Sequence, residues 1–259
     1  MNKLIVVLLL ALFPLSAWAA EHGVTLDKVD VDLSDKAALQ DGARTFANYC
    51  MGCHSAKFQR YERVADDLDI PHDVMLENLV FTGAKIGDHM KIGMQAQDAK
   101  TWFGAAPPDL TLVARVRGED WLYSYLRSFY ADPSRPYGVN NKVFPNVGMP
   151  NVLAGLQGNQ VIGCKQVQTV VEGKRQFDPL TGSPLTHEAC DQLTVEPNSG
   201  TLAPEQFDEK VKNLVTFLAY SANPVKLESQ RIGTYVLLYL AVFFVFAYFL
   251  KREYWKDVH

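Results

Sequence analysis

Basic runs are missing from this sequence. No block of lysines and arginines occurs, and the net charge is −4, so nothing indicates a nucleic-acid partner. Cysteine is scarce too: four in 259 residues, at positions 50, 53, 164 and 190, of which only Cys50 and Cys53 lie close together. Charge is absent from two apolar stretches, one near each end. What remains is 48% hydrophobic and 21% charged overall, enough for one substantial globular domain with additions or at most two small ones.

The two apolar ends differ in kind. Lys3 precedes the run Leu4 to Leu15, and Ala17-Trp18-Ala19 offers the small residues that a signal peptidase reads. The run falls short of the ~20 residues needed to cross a bilayer, so residues 1–19 read as an export signal cleaved after Ala19. Ile232 to Leu250 is long enough, contains no charge, and is followed by Lys251, Arg252 and Lys256, with Tyr254 and Trp255 suited to the headgroup region. The expected organisation is therefore a signal at 1–19, an exported domain at 20–230, a single membrane anchor at 231–251 and a cytoplasmic tail at 252–259. In a bacterial cell this puts the domain in the periplasm, held on the inner membrane. The domain is acidic, with 20 Lys and Arg against 27 Asp and Glu between Ala20 and Gln230. Such a field can steer a basic partner, although solvated acidic clusters are also ordinary surface.

Within that domain, Cys50-Met51-Gly52-Cys53-His54 is the attachment signature of a c-type haem. Two thiols three apart can each add to one vinyl group of a porphyrin, and the adjacent His54 can supply an imidazole nitrogen to the iron. A redox dithiol or half of a zinc site is the competing reading of the five residues alone. Export favours haem, because c-type attachment takes place outside the cytoplasmic membrane. Only one such motif occurs, which argues against a multihaem enzyme such as a peroxidase.

The flanking sequence supplies helices. Ala37 to Tyr49 reads as a helix leading into the motif, with Gly42 and Phe46 on one face. Pro204 to Ala222 reads as an amphipathic helix, with Phe207, Val211, Leu214, Val215 and Leu218 in three- and four-residue steps. These two are expected to cross near the haem, with Gly42 at the contact. Leu112 to Tyr130 reads as a further aromatic-rich helix. Residues 163–200 read as a loop-rich insert.

A closed haem needs a sixth ligand. Met149 sits in the irregular Phe144-Pro145-Asn146-Val147-Gly148-Met149-Pro150 loop and is the preferred thioether. Met90 and Met94 are alternatives, His89 another; Met51 lies inside the attachment loop, and Met75 belongs to a helical core run. Arg115 and Arg117 are candidate propionate partners. A backbone carbonyl from a proline-rich loop can orient the His54 ring; Pro107 or Pro108 is in position, and Pro108 is the one assigned.

With these pieces assembled, the chain resembles cytochrome c1, the membrane-anchored haem subunit of the quinol–cytochrome c oxidoreductase (cytochrome bc1 complex), in its bacterial form. The resemblance is carried by Cys50 to His54, Ala106-Pro107-Pro108-Asp109-Leu110, Ala114-Arg115-Val116-Arg117-Gly118-Glu119-Asp120-Trp121, Gly148-Met149-Pro150 and the Lys251 to Lys256 tail. It implies one covalent haem c with His54 and Met149 as axial ligands, and Arg117 as a propionate partner. It implies electrons received from the Rieske iron–sulfur protein and passed to a soluble or tethered cytochrome c, with the anchor beside cytochrome b. The expected fold is mainly α: a c-type cytochrome fold with long loop insertions and one C-terminal transmembrane helix. A membrane-tethered cytochrome shuttling to a terminal oxidase is the alternative, but shuttles of that kind are shorter. Cys164 and Cys190 stand apart from the resemblance. In an exported domain they can form a disulfide, and closing that loop contributes ~3.5 kcal/mol in the chain-entropy model.

Overall fold

The computed structural model describes residues 24–171 and 174–256; the export signal expected at 1–19 lies outside them. Two helices form the frame. Helix α1 (Lys36–Thr45) begins where the Asp35 carboxylate accepts a hydrogen bond from the Ala38 N–H at 3.0 Å, a normal N-cap. It passes directly into a π-helical turn, Phe46–Cys50, closed by the Met51 N–H on the Phe46 carbonyl at 3.0 Å. Such turns insert an extra residue per turn and occur often beside functional sites. Here the turn delivers Cys50 to the start of the attachment motif. Next come β1 (Ala56–Arg60), α2 (Tyr61–Asp67), α3 (His72–Leu79), β2 (His89–Met90) and α4 (Ala96–Phe103).

Helix α8 (Pro204–Ala222) is the other half of the frame. Pro204 fits its first turn, and Gln206 accepts from the Ala203 N–H at 3.0 Å. The predicted stripe, Phe207, Val211, Leu214, Val215 and Leu218, is buried throughout. Burying each such side chain contributes ~1.5–3 kcal/mol. Helices α1 and α8 cross at Gly42, as the sequence predicts: a Cβ there would lie 2.1 Å from the Asn213 carbonyl oxygen and 2.7 Å from Phe217 Cβ. The crossing is pinned by Asp41, which accepts from Lys210 Nζ at 2.6 Å and Asn213 Nδ2 at 3.0 Å. The Phe46 and Phe217 rings meet 5.5 Å apart beside it.

The stretch Leu112 to Tyr130 is not one helix. It divides into α5 (Val113–Arg117) and α6 (Glu119–Arg127) at Gly118, whose φ of +89° no residue with a side chain adopts readily. A short ladder of β3 (Phe129–Ala131) and β4 (Val139–Asn141) follows, and then the small helix α7 (Ala154–Gln157).

The insert at 163–200 is likewise not a loop. Its first part belongs to an antiparallel pair of long strands, β5 (Gln160–Gln168) and β8 (Thr186–Val195), with β6 (Val170–Val171) and β7 (Lys174–Arg175) near the tip. The ladder shifts register between Gly163 and Lys165, and there Cys164 and Cys190 are joined as a disulfide. Most of the hairpin is exposed, so the alternation of buried and solvated residues that signals a strand is weak in this sequence. Helices thus build the core, and the longest insertion is β structure.

The last helix, α9 (Lys226–Tyr254), has no buried residue, and by length and composition it can cross a membrane.

Candidate haem site

The motif and its surroundings enclose a cavity of about 390 Å³, within the usual range for small-molecule and cofactor sites. Cys50, Cys53 and His54 line one part of it, and Met149 another. Leu214 and Leu218 of α8, with Leu122 and Leu126 of α6, supply an apolar lining.

Local backbone places the first group. The Cys53 and His54 N–H groups both donate to the Cys50 carbonyl, at 3.1 and 2.9 Å, folding the motif into a tight turn. The segment after it lies against residues 108–111. Leu110 N–H donates to the Ser55 carbonyl at 2.9 Å, and Lys57 N–H to the Asp109 carboxylate at 2.8 Å. This pairing sets the Pro108 carbonyl 2.7 Å from His54 Nδ1. A carbonyl can only accept, so Nδ1 carries the proton and Nε2 keeps its lone pair. Burial lowers the His54 pKa, against the opposing pull of the Pro108 carbonyl and Asp109, and so favours the neutral ring.

The two thiols are not joined. Burial, with Cys53 beside it, pushes Cys50 up to about 12. The donor set is therefore two thiols at haem-attachment spacing, one neutral imidazole with a free nitrogen, and a thioether in the same cavity. It fits a haem c.

Met149 is held through its loop, by side chains that precede it in the sequence. The buried Asn141 carboxamide oxygen accepts from the Val143 and Phe144 N–H groups at 2.9 and 3.0 Å. Asn140 accepts from the Asn146 N–H at 2.8 Å, and Asn146 has a φ of +62°. Arg135 donates to the Asn146 carbonyl at 2.9 Å. Tyr125 on α6 donates its hydroxyl to Met149 Sδ at 3.4 Å, and burial pushes that hydroxyl up to about 12.

Among the described residues, Met149 is the one methionine that lines the cavity. Met51, Met75 and Met90 are buried elsewhere, and Met94 and His89 do not reach it. The two arginines part company. Arg117 lines the cavity with its guanidinium 5.0 Å from the Trp121 ring centre and 5.9 Å from that of Phe144. Arg115 is exposed and outside the lining. The sequence reading missed Tyr125 as a partner of Met149 and the Asn140–Asn141 pair. A doublet of asparagines just before a Gly/Pro-containing loop was the available signal, since asparagine amides can satisfy turn backbone.

A cavity with this lining defines the class of c-type haem proteins. The family described as the Cytochrome C1 family matches residues 182–258. Cytochrome c1 of Allochromatium vinosum is 45% identical over the full length of both chains. The ammonia monooxygenase gamma subunit of Nitrosomonas europaea is 39% identical, over 99% of this chain and all of that one. The mitochondrial cytochrome b-c1 complex catalytic subunit of Candida albicans is 22% identical over 93% of this chain and 81% of that one. The chain belongs to the cytochrome c1 family, and like the members of that family it carries one covalently bound haem c.

Proposed function

We propose that this chain is the cytochrome c1 subunit of a quinol–cytochrome c oxidoreductase, accepting electrons from a Rieske iron–sulfur protein and passing them to a soluble or tethered cytochrome c. The observation that carries the proposal is the common cavity of His54 and Met149, with His54 Nδ1 committed to the Pro108 carbonyl. Haem c, when bound, supplies one-electron redox chemistry. Cys50 and Cys53 would attach it, and His54 Nε2 and the Met149 thioether would hold its iron. A thioether paired with an imidazole would favour the reduced state, which suits a carrier rather than an oxygen- or peroxide-activating site. Arg117, in the cavity lining with its guanidinium 5.0 Å from the Trp121 ring centre, is the propionate partner; Arg115, outside the lining, is the weaker candidate.

The remaining organisation follows the same reading. Residues 1–19 export the chain, 20–230 form the haem domain in the periplasm, 231–251 anchor it beside cytochrome b in the inner membrane, and 252–259 remain cytoplasmic. Supporting this are the length and exposure of α9 and the cluster of Lys251, Arg252 and Lys256 after the apolar run. No observation at the site favours the activity in the N. europaea relative's name over electron transfer.

Affinity purification of the tagged full-length chain from solubilised membranes tests the proposal. A dihaem cytochrome b and a Rieske protein should accompany it, and added quinol should reduce its haem. Recovery with a terminal oxidase alone would favour the tethered-shuttle alternative.

A further inference from the structure

Tyr125 occupies an unusual position in the cavity wall. Its ring stacks on Trp121 with centroids 4.8 Å apart and planes 10° from parallel, and meets Phe129 edge-on at 5.1 Å. Its own carbonyl accepts from the Asn141 side chain at 2.8 Å. Ring and backbone are thus both fixed, and the hydroxyl has one direction available. It points to Met149 Sδ, 3.4 Å away. Asn141 also organises the start of the Met149 loop through Val143 and Phe144, so one side chain ties the donor's helix to the acceptor's loop.

We propose that Tyr125 is a positioning residue for Met149, its hydroxyl donating to the thioether sulfur and tuning that sulfur as an iron ligand. The inference rests on Met149 being an axial ligand. A thioether has two lone pairs, and a hydroxyl on one leaves the other for the metal. Donation to sulfur withdraws electron density and makes the thioether a weaker donor. A weaker donor stabilises the ferric state less, so the hydrogen bond raises the reduction potential. It also limits rotation of a side chain that otherwise has three free torsions.

The test uses the full-length, membrane-purified protein with its haem attached. Tyr125→Phe keeps the ring and its stacking while removing the hydroxyl. Its midpoint potential should fall below wild type, and the weak methionine-to-iron charge-transfer band at the red edge of the ferric spectrum should shift, with covalent haem content unchanged. Tyr123→Phe, whose ring lies 4.5 Å from the Arg127 guanidinium and not in the cavity lining, should leave both readouts at wild type. A wild-type potential and band in Tyr125→Phe would overturn the role given to the hydroxyl. Loss of covalent haem in that variant would also overturn it, by assigning the hydroxyl to folding instead. Met149→Leu separates this failure from failure of the ligand assignment. If its band is lost while Tyr125→Phe is unchanged, only the hydrogen bond is wrong; if its band persists, the ligand assignment itself is wrong.

Discussion

The two walls of the cavity are built by different means. On the His54 side nearly everything is local. A helix, one π-turn and a five-residue motif place both thiols and the imidazole within a single chain segment, and the added support comes from one neighbouring stretch around Pro108. On the Met149 side a single group is placed, and side chains outside its own short motif place it. The loop is held by Asn140 and Asn141 from β4, by Arg135 from the preceding turn and by Tyr125 from α6. One wall depends on residue spacing and the other on side-chain hydrogen bonds, from Asn141 two positions from its partner to Tyr125 24 positions from its own. The first should fail only through its own residues, whereas the second should fail through residues that never touch a ligand.

The largest effect is expected on the local wall. Replacing both Cys50 and Cys53 with serine should abolish covalent haem completely, which pyridine haemochrome analysis of the purified chain will show. The Met149 wall should respond next. Asn141→Ala leaves the Val143 and Phe144 N–H groups without their acceptor, at a cost of roughly 2–4 kcal/mol. Here the haem should stay covalently attached while the methionine-to-iron band weakens. Haem loss in this variant would break the distinction between the walls.

The frame shared by both walls gives smaller effects. Gly42→Ala pushes a methyl into the Asn213 carbonyl and should lower thermal stability by about 1–3 kcal/mol, read as a drop in Tm of the detergent-solubilised protein. Asp41 gives the smallest. Burial raises its pKa, but hydrogen bonds from Lys210, Asn213 and Arg44 outweigh it and hold the carboxyl below its ordinary value. A carboxyl depressed in the folded state stabilises above its unfolded pKa, and that contribution is lost as pH falls through the folded value. Acid titration below about pH 4 should therefore destabilise wild type more than Asp41→Asn, and identical acid sensitivity of the two would remove Asp41 from the account.

The same contrast explains what could be read from the sequence. The attachment motif, the Gly42 contact and the stripe on α8 are patterns over a few residues, and each has a local physical cause: thiol spacing, close helix approach and helical periodicity. Met149 could be preferred from its Gly/Pro setting, and the Asn140–Asn141 doublet was the one signal of what holds its loop. Tyr125 looked like one aromatic among several on α6, because nothing local marks which ring faces a sulfur 24 positions away. The break at Gly118 was missed because the stretch has helix-favouring residues on both sides, although the positive-φ glycine is the residue that makes the break. The β5–β8 hairpin was hidden for the opposite reason. Its strands are exposed on both faces for much of their length, so no alternation was written into them, whereas the Cys164–Cys190 pairing within it could be read as available to an exported domain but not decided.

In the function proposed above, His54 and Met149, from walls of different kinds, would hold one iron. The most direct test is the ferric absorption spectrum of purified Met149→Leu. The red-edge methionine-to-iron band should vanish while haemochrome analysis still finds one haem bound through Cys50 and Cys53. A band of wild-type position and intensity in that variant would contradict it.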